Sequence, residues 1–248
     1  MNGEGRRALV TGGGVRVGRA IALALGEAGY RVAVHYHADR EAAERTARET
    51  AAAAGGGQPV SLAADLSVPG DAASLVERAA AALGGIDLLV NSAAIFPRAR
   101  PEEVSVADWD RVFALNARGV FLCSREAAAR MVAGSSIVNI ADVAAFEGWP
   151  SYAPYAATKA AVVSLTRSLA RAWAPRIRVN AVAPGPVLLP EGTGEEERRR
   201  AAASTALGRV GRAEDVAGAV LYLDGAKFVT GEVLRVDGGE HLERSRED

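Results

Sequence analysis

The chain has 248 residues, 49% of them hydrophobic and 24% charged, with a formal net charge of −1. That balance suits a soluble globular protein with a substantial core, and the absence of a long basic block gives no footing for nucleic acid or a membrane surface. Met1–Val10 lacks a cationic segment followed by an apolar one, and no run of 18 or more uncharged apolar residues occurs, so neither a leader nor a membrane span is expected. Cys123 is the one cysteine and lies in the apolar phrase Val120-Phe121-Leu122-Cys123, where burial is expected rather than reactivity. The expected compartment is the cytoplasm, and no metal site is expected.

In chain order, apolar runs at Ala8–Thr11, Arg31–Tyr36, Pro59–Ala64, Ile86–Asn91, Ser136–Ala141, Ile177–Val182 and Val233–Val236 read as strands. Between them, alanine-rich stretches near 16–28, 40–54, 71–83, 108–132, 152–173 and 214–224 read as helices. The apolar runs are continuous rather than alternating, as in strands covered on both faces. Strands alternating with helices imply right-handed crossovers, hence an α/β fold: a doubly wound parallel sheet of seven strands with helices on both faces. No stretch resembles a linker, so residues 1–248 are expected to form a single domain. The polar stretch Glu191–Arg200 is expected to be an insertion over the carboxyl edge of the sheet.

The first strand runs through Thr11-Gly12-Gly13-Gly14-Val15-Arg16-Val17-Gly18 straight into a helix. Glycines permit a tight turn and a close approach of backbone to a pyrophosphate, and the helix start offers free N–H groups at the positive end of its dipole. Arg16 places a cation beside that positive end, which points to an anionic partner. The segment resembles the Thr-Gly-x-x-x-Gly-x-Gly turn of the short-chain dehydrogenase/reductase family. With arginine in place of the middle glycine, it looks like the pteridine reductases of that family. The resemblance covers residues 7–242 and implies a Rossmann-like fold, an NADP(H) cofactor, a small-molecule substrate and a homotetramer.

By that resemblance Thr11, Gly12, Gly14, Arg16, Val17 and Gly18 border the cofactor, and Arg16 also the substrate. His35-Tyr36-His37 at the second strand end is similar to the pteridine reductases, whose next residues grip a 2′-phosphate. Ala38-Asp39 stand where that family has Arg-Ser, which leaves Arg16, His37 and Arg40 as the nearby cations. Asp39 lies near the spacing at which NAD-preferring enzymes hold a ribose hydroxyl, so it competes with the NADP(H) reading, which is favoured. Ala64-Asp65-Leu66 resembles the family's adenine-binding step, with helix capping as the other role for Asp65. Asn91-Ser92-Ala93-Ala94 resembles the family's Asn-Asn-Ala-Gly, with Asn91 tying the backbone of adjacent strands and Ala93 bordering the cofactor.

Tyr155-Ala156-Ala157-Thr158-Lys159 opens a helical run, and the i, i+4 spacing sets phenol and ammonium one turn apart on one face. A phenol titrates near about 10, and a neighbouring cation would favour its ionised form, so the pair suits general acid catalysis. Asp142 stands thirteen residues earlier (155 minus 142), at the end of a strand. Most of the family carries serine there, and the pteridine reductases resemble this chain in carrying aspartate. An ionised carboxylate accepts but cannot donate to a carbonyl; it can hold an N–H, or relay a proton when protonated. Capping a turn is the alternative role.

The resemblance also implies that Asn116 bends its helix around a water near the lysine and that Lys159 grips the nicotinamide ribose. Pro184-Gly185-Pro186-Val187 would face the nicotinamide amide, with Leu189 in place of the usual threonine, and Phe96 would stack on the substrate. The reading is NADPH-dependent hydride transfer to a pterin or dihydropterin. A carbonyl reductase such as a 3-oxoacyl-[acyl-carrier-protein] reductase is the alternative on the same scaffold. A catalytically silent NADP(H)-binding regulatory module is the alternative of another class, and the joint presence of Tyr155, Lys159 and Asn116 argues against it.

Overall fold

All but one of the apolar runs form strands that present side chains to two cores at once. Along β1 (Arg7–Thr11), Ala8 and Val10 enter one hydrophobic cluster while Leu9 enters the other, as the two-residue period of a strand requires. The same holds for β2 (Arg31–Tyr36), β4 (Leu88–Asn91), β5 (Ser135–Ile140), β6 (Ile177–Pro184) and β7 (Val233–Val236), whereas the edge strand β3 (Val60–Ala63) packs Val60 and Leu62 on one cluster only; the seven join one sheet in the order β3-β2-β1-β4-β5-β6-β7. All neighbouring pairs are parallel. The structure, a computed structural model, describes residues 3, 5–189 and 192–242. Met1, Asn2, Glu4 and Glu191, on which the leader and insertion expectations partly rest, lie outside the described residues.

Helices α1 (Arg16–Glu27), α2 (Arg40–Ala53) and α8 (Ala213–Gly225) supply residues to one core. Helices α3 (Pro69–Leu83), α5 (Val120–Arg130) and α6 (Ala153–Trp173) supply the other. The chain reverses its direction of winding between β1 and β4, which opens a crevice at their carboxyl ends where ligands bind in such sheets. Register places Thr11 beside Asn91 and Asn91 beside Asn139, a polar row along that edge. Cys123 is fully buried, and burial pushes its thiol up to about 12. Among the described residues no helix is long and apolar enough to cross a membrane.

Three expected elements differ in detail. The helix expected over 108–132 is α4 (Val106–Phe113), a π-helical turn over Ala114–Gly119, then α5. Ser105 sets its start by capping Asp108 N–H through its side chain (3.1 Å). Such widened turns gather at functional positions, and this one carries Asn116. β3 starts after Pro59, which has no N–H to give a ladder. The polar stretch holds a helix of its own, α7 (Glu195–Ala203), with no buried residue. Glutamates in its first turn and Arg200 in its last match the helix dipole, which compensates for the missing apolar face.

At the opposite, amino edge of the sheet, fully buried Asp224 accepts from Arg6, Tyr30 and Ser136, and the Arg178 guanidinium donates to its backbone carbonyl. Removing one partner of a buried ion pair leaves the others desolvated and unpaired, at a cost of about 3–5 kcal/mol. Asp224→Ala is therefore expected to lower the urea midpoint by that amount of free energy at an unchanged denaturant slope; a loss below about 1 kcal/mol would show the network to be dispensable.

Candidate active site

The glycine-rich turn is closed from below by a histidine. His35 is 2% exposed; its Nδ1 accepts from Gly12 N–H (3.0 Å) and its Nε2 donates to the Ala64 carbonyl (3.1 Å). Burial pulls its pKa down to about 4, so at neutral pH the ring is uncharged and can play both roles. His35, expected at the cofactor, thus serves the site by propping the turn from inside. Gly12 has φ +63°, and a Cβ there would lie 2.9 Å from Ala93 Cα. A Cβ on Gly18 would lie 2.1 Å from the Gly12 carbonyl oxygen, and one on Gly14 3.1 Å from Ala43 on α2. No side chain caps α1, whose N-cap is Val15. A turn with no room for side chains and uncapped helix N–H groups fits a diphosphate. Val17 packs at the edge of the core, and Arg16, exposed, donates from Nη2 to the Leu188 carbonyl (2.7 Å) rather than standing in solvent.

Beyond β2, Asp39 is occupied as the N-cap of α2, accepting from Ala42 N–H (2.9 Å). That gives its carboxylate a structural role at the position where it competes for a ribose hydroxyl. Arg40 Nε donates to Glu44 (2.6 Å) in an exposed pair, the kind that contributes little and rearranges easily. His37 is exposed, with Nε2 3.9 Å from Asp65. Asp65 accepts from Ser67 N–H and hydroxyl, which hold its carboxyl below the usual carboxylate range. Tyr36 is partly buried, and the Leu66 side chain is core, 4% exposed.

Thr11 Oγ1 accepts from Ser92 and Ala93 N–H (2.9 and 3.1 Å), joining the ends of β1 and β4. Asn91 donates to Ser124 (2.9 Å) and Asn139 (2.8 Å), so it ties strands and α5 through side chains, where backbone ties were expected. Asn116, in the π-helical turn, both accepts from and donates to the Ile95 backbone (2.9 Å each) and reaches Thr158 at 3.4 Å. Pro184 and Gly185 end β6; a Cβ on Gly185 would lie 2.7 Å from Asp237 Cβ. Val187 N–H closes back on the Gly185 carbonyl (2.7 Å).

Tyr155 and Lys159 do share one face of α6, and both are buried. Their electrostatics differ from the sequence expectation. Lys159 Nζ donates to the Ile140 carbonyl (2.7 Å) and stands 5.4 Å from the Tyr155 ring centre, while the Tyr155 hydroxyl donates to Asp142 Oδ2 (2.7 Å). Burial first, and the Asp142 carboxylate second, push the phenol well above 10. The ammonium does not win here because it is itself desolvated, which lowers it to about 8. Burial likewise raises Asp142, against the Ala144 N–H and Tyr155 hydroxyl that its carboxyl oxygens accept from. Asp142 thus caps its turn and faces the tyrosine together. A raised carboxyl, a raised phenol and a lowered ammonium in one place form a proton-handling group.

Phe96 is 47% exposed at the crevice, stacked on Tyr152 (centroids 4.1 Å, 1°) and edge-on to Tyr155 (4.5 Å, 70°). Trp149 completes the wall, 6.4 Å from Phe96. Tyr152 and Trp149 were missed in the sequence, although the phrase Trp149-Pro150-Ser151-Tyr152 directly precedes α6 and could have signalled an aromatic lining. Thr158, which accepts from Asn116 and donates to the Tyr155 carbonyl (2.6 Å), was missed as well, being an ordinary helix residue in isolation.

Known proteins of this shape are numerous. A family model described as enoyl-(acyl carrier protein) reductase matches residues 14–241. A short-chain type dehydrogenase/reductase of Picea abies is 37% identical over 250 residues, covering 95% of this chain and 92% of that protein. A 3-oxoacyl-[acyl-carrier-protein] reductase of Staphylococcus aureus (strain N315) is 35% identical over 244 residues, 96% of this chain and 98% of its own. Among solved structures, a short-chain dehydrogenase from Burkholderia cenocepacia J2315 in complex with NADP superposes with a TM-score of 0.90 at 33% identity, covering 96% of this chain and 98% of that one.

The lowered lysine sets a pH limit. Lys159 is charged below about 8 and loses its proton as the pH rises through that value, and with it a hydrogen-bond donor and a local positive charge. The value of kcat/KM for the reduced dinucleotide, which reports the free protein, is expected to fall on the alkaline side with a midpoint near 8. A profile unchanged up to about 10, the ordinary lysine range, would place that charge outside the reaction.

Proposed function

This chain belongs to the short-chain dehydrogenase/reductase family, and we propose that within it the protein is an NADPH-dependent reductase of a pterin or dihydropterin. The observation that carries the reading is the 2.7 Å hydrogen bond between Tyr155 and a buried Asp142 whose carboxyl is raised. A carboxylate there accepts and so can hold an N–H of a heterocycle, whereas a serine donates and suits a carbonyl oxygen. The Phe96–Tyr152 stack offers a flat aromatic surface beside it, suited to a planar heterocycle.

NADP(H) is the cofactor, and when bound it supplies a hydride. Gly12, Gly14, Gly18 and the uncapped start of α1 would hold its diphosphate, Arg16, His37 and Arg40 its negative charge, and Pro184–Val187 its nicotinamide. The Tyr155 hydroxyl, held 2.7 Å from Asp142, gives its proton to the substrate nitrogen as hydride reaches the ring, and Asp142 fixes the hydroxyl's position. Lys159, charged near neutral pH, offsets the negative charge left on the Tyr155–Asp142 pair. Asn116, fixed to the Ile95 backbone, holds Ile95 and so the approach of Phe96.

Carbonyl reduction is the second reading, supported by the Staphylococcus aureus relative's name. NADPH oxidation by the wild type is expected with dihydrobiopterin and to run faster than NADH oxidation. Tyr155→Phe is expected to lower that turnover by about 10²–10⁴, the range of a lost proton donor, and Asp142→Ser to lower it as well. Phe96→Ala is expected to raise KM for the pterin. If the wild type ignores every pterin and reduces acetoacetyl thioester, the carbonyl reading replaces this one.

A homotetramer belongs to the same proposal, supported by Val106 and Trp109, which stand 79% and 42% exposed on α4. Light scattering is expected to give four times the 25.6 kDa chain mass; a particle of 25.6 kDa would overturn it.

A further inference from the structure

Among the described residues, two that are not glycine have positive φ: Arg16 at +51° and Leu188 at +47°. They are 172 positions apart, and the hydrogen bond from Arg16 Nη2 to the Leu188 carbonyl, 2.7 Å long, joins one to the other. A branched, apolar residue such as leucine rarely takes up the left-handed region, and such a conformation persists only where its surroundings hold it. Arg16 opens α1 at the end of the glycine-rich turn; Leu188 follows Val187, the last residue of the Pro-Gly element at the end of β6. The bond therefore bridges two walls of one crevice.

Upstream of Leu188 the element is well anchored. Gly185 N–H donates to Val236 (3.1 Å), Val187 N–H to Gly185 (2.7 Å) and Gly211 N–H to Pro186 (2.9 Å). Arg16 supplies a hold at its far end. A guanidinium carries five N–H donors in a rigid fork, so the one spent on Leu188 leaves others free for an anion. An ammonium is a compact point charge that meets a phosphate but cannot hold two acceptors in a fixed relative geometry.

We propose that Arg16 is a positioning residue: while its remaining N–H groups engage the cofactor's diphosphate, it holds Leu188 left-handed and so sets Gly185–Val187 against the nicotinamide. The inference rests on the NADP(H) reading and not on which substrate is reduced. It makes affinity and nicotinamide placement separable. The charge of Arg16 serves the first, and the bond to Leu188 serves the second.

The full chain is titrated with NADPH, following tryptophan quenching for Kd and the gain in dihydronicotinamide emission for immobilisation of that ring. The same chain is titrated with 2′-phospho-ADP-ribose, which lacks the nicotinamide. Arg16→Lys is expected to keep Kd for 2′-phospho-ADP-ribose within about threefold, lose the emission gain, and lower kcat about 10²-fold, as misplacement of a reacting group by about 1 Å does. Leu188→Pro, which forces φ to about −65°, is expected to reproduce that pattern without touching Arg16. Glycine takes positive φ without help, so the double variant Arg16→Lys, Leu188→Gly is expected to regain most of the emission gain and of kcat.

Three outcomes overturn the proposal. The first is full emission gain retained by Arg16→Lys or Leu188→Pro, and the second a double variant that does no better than Arg16→Lys. Weakened binding with unchanged emission and kcat would mean that Arg16 acts by charge alone. A wild type that binds no NADPH would remove the cofactor reading and this inference together, whereas bound NADPH with an unaltered nicotinamide in every variant removes only the inference. Leu188→Pro lies in a partly exposed loop and keeps the test open should Arg16→Lys fold poorly.

Discussion

A buried chain of amides and hydroxyls holds the chemical end of this molecule in place. Asn91 donates to Asn139, Asn139 donates to Thr166, and Asn91 also donates to Ser124, all within 3.0 Å. Every member is buried, and buried polar groups left unmatched cost more than matched ones contribute, so the chain has one satisfactory arrangement. Thr166 sits on the helix that carries Tyr155 and Lys159, and Ser124 on the helix that continues from Asn116. The register of both helices against the sheet is therefore set by the same row of side chains that lines the strand ends.

Given that registration, the site's chemistry follows from a contest between burial and charge. Lys159 is close enough to polarise the tyrosine only through a desolvated interior, and desolvation weakens its own charge first. Asp142 is closer, and its hydrogen bond to the phenol favours the protonated phenol. An aspartate at this position thus gives the tyrosine a carboxylate as its hydrogen-bond partner, with the lysine 5.4 Å from its ring centre. A serine could not do this, having no charge to contribute.

The cofactor side is organised by the absence of side chains and the presence of a few cations. Gly12 and Gly18 have no room for a Cβ, and His35 is neutral because it is buried, so the turn is held without placing a charge where an anion must come. The exposed side chains of Arg16, His37 and Arg40 would meet such an anion instead. Asp39, the one residue that pulls toward a ribose hydroxyl, is engaged by the start of α2.

Alternation of apolar runs and alanine-rich stretches was enough to determine the doubly wound sheet, because strands buried on both faces and helices between them have few other ways to pack. Local spacing likewise determined the glycine turn and put Tyr155 and Lys159 on one helix face, since both depend on neighbours within a turn or two. The tertiary structure decided what spacing cannot carry. It set Asp142 rather than Lys159 as the tyrosine's partner, because that depends on which groups lose water together. It put His35 beneath the turn and Tyr152 against Phe96, and it split the long helix at Asn116, where Ile95 from a distant loop needs both of the amide's hydrogen bonds. It also joined Arg16 to Leu188 across 172 residues, a contact that exists only once the two ends of the crevice have been folded to face each other.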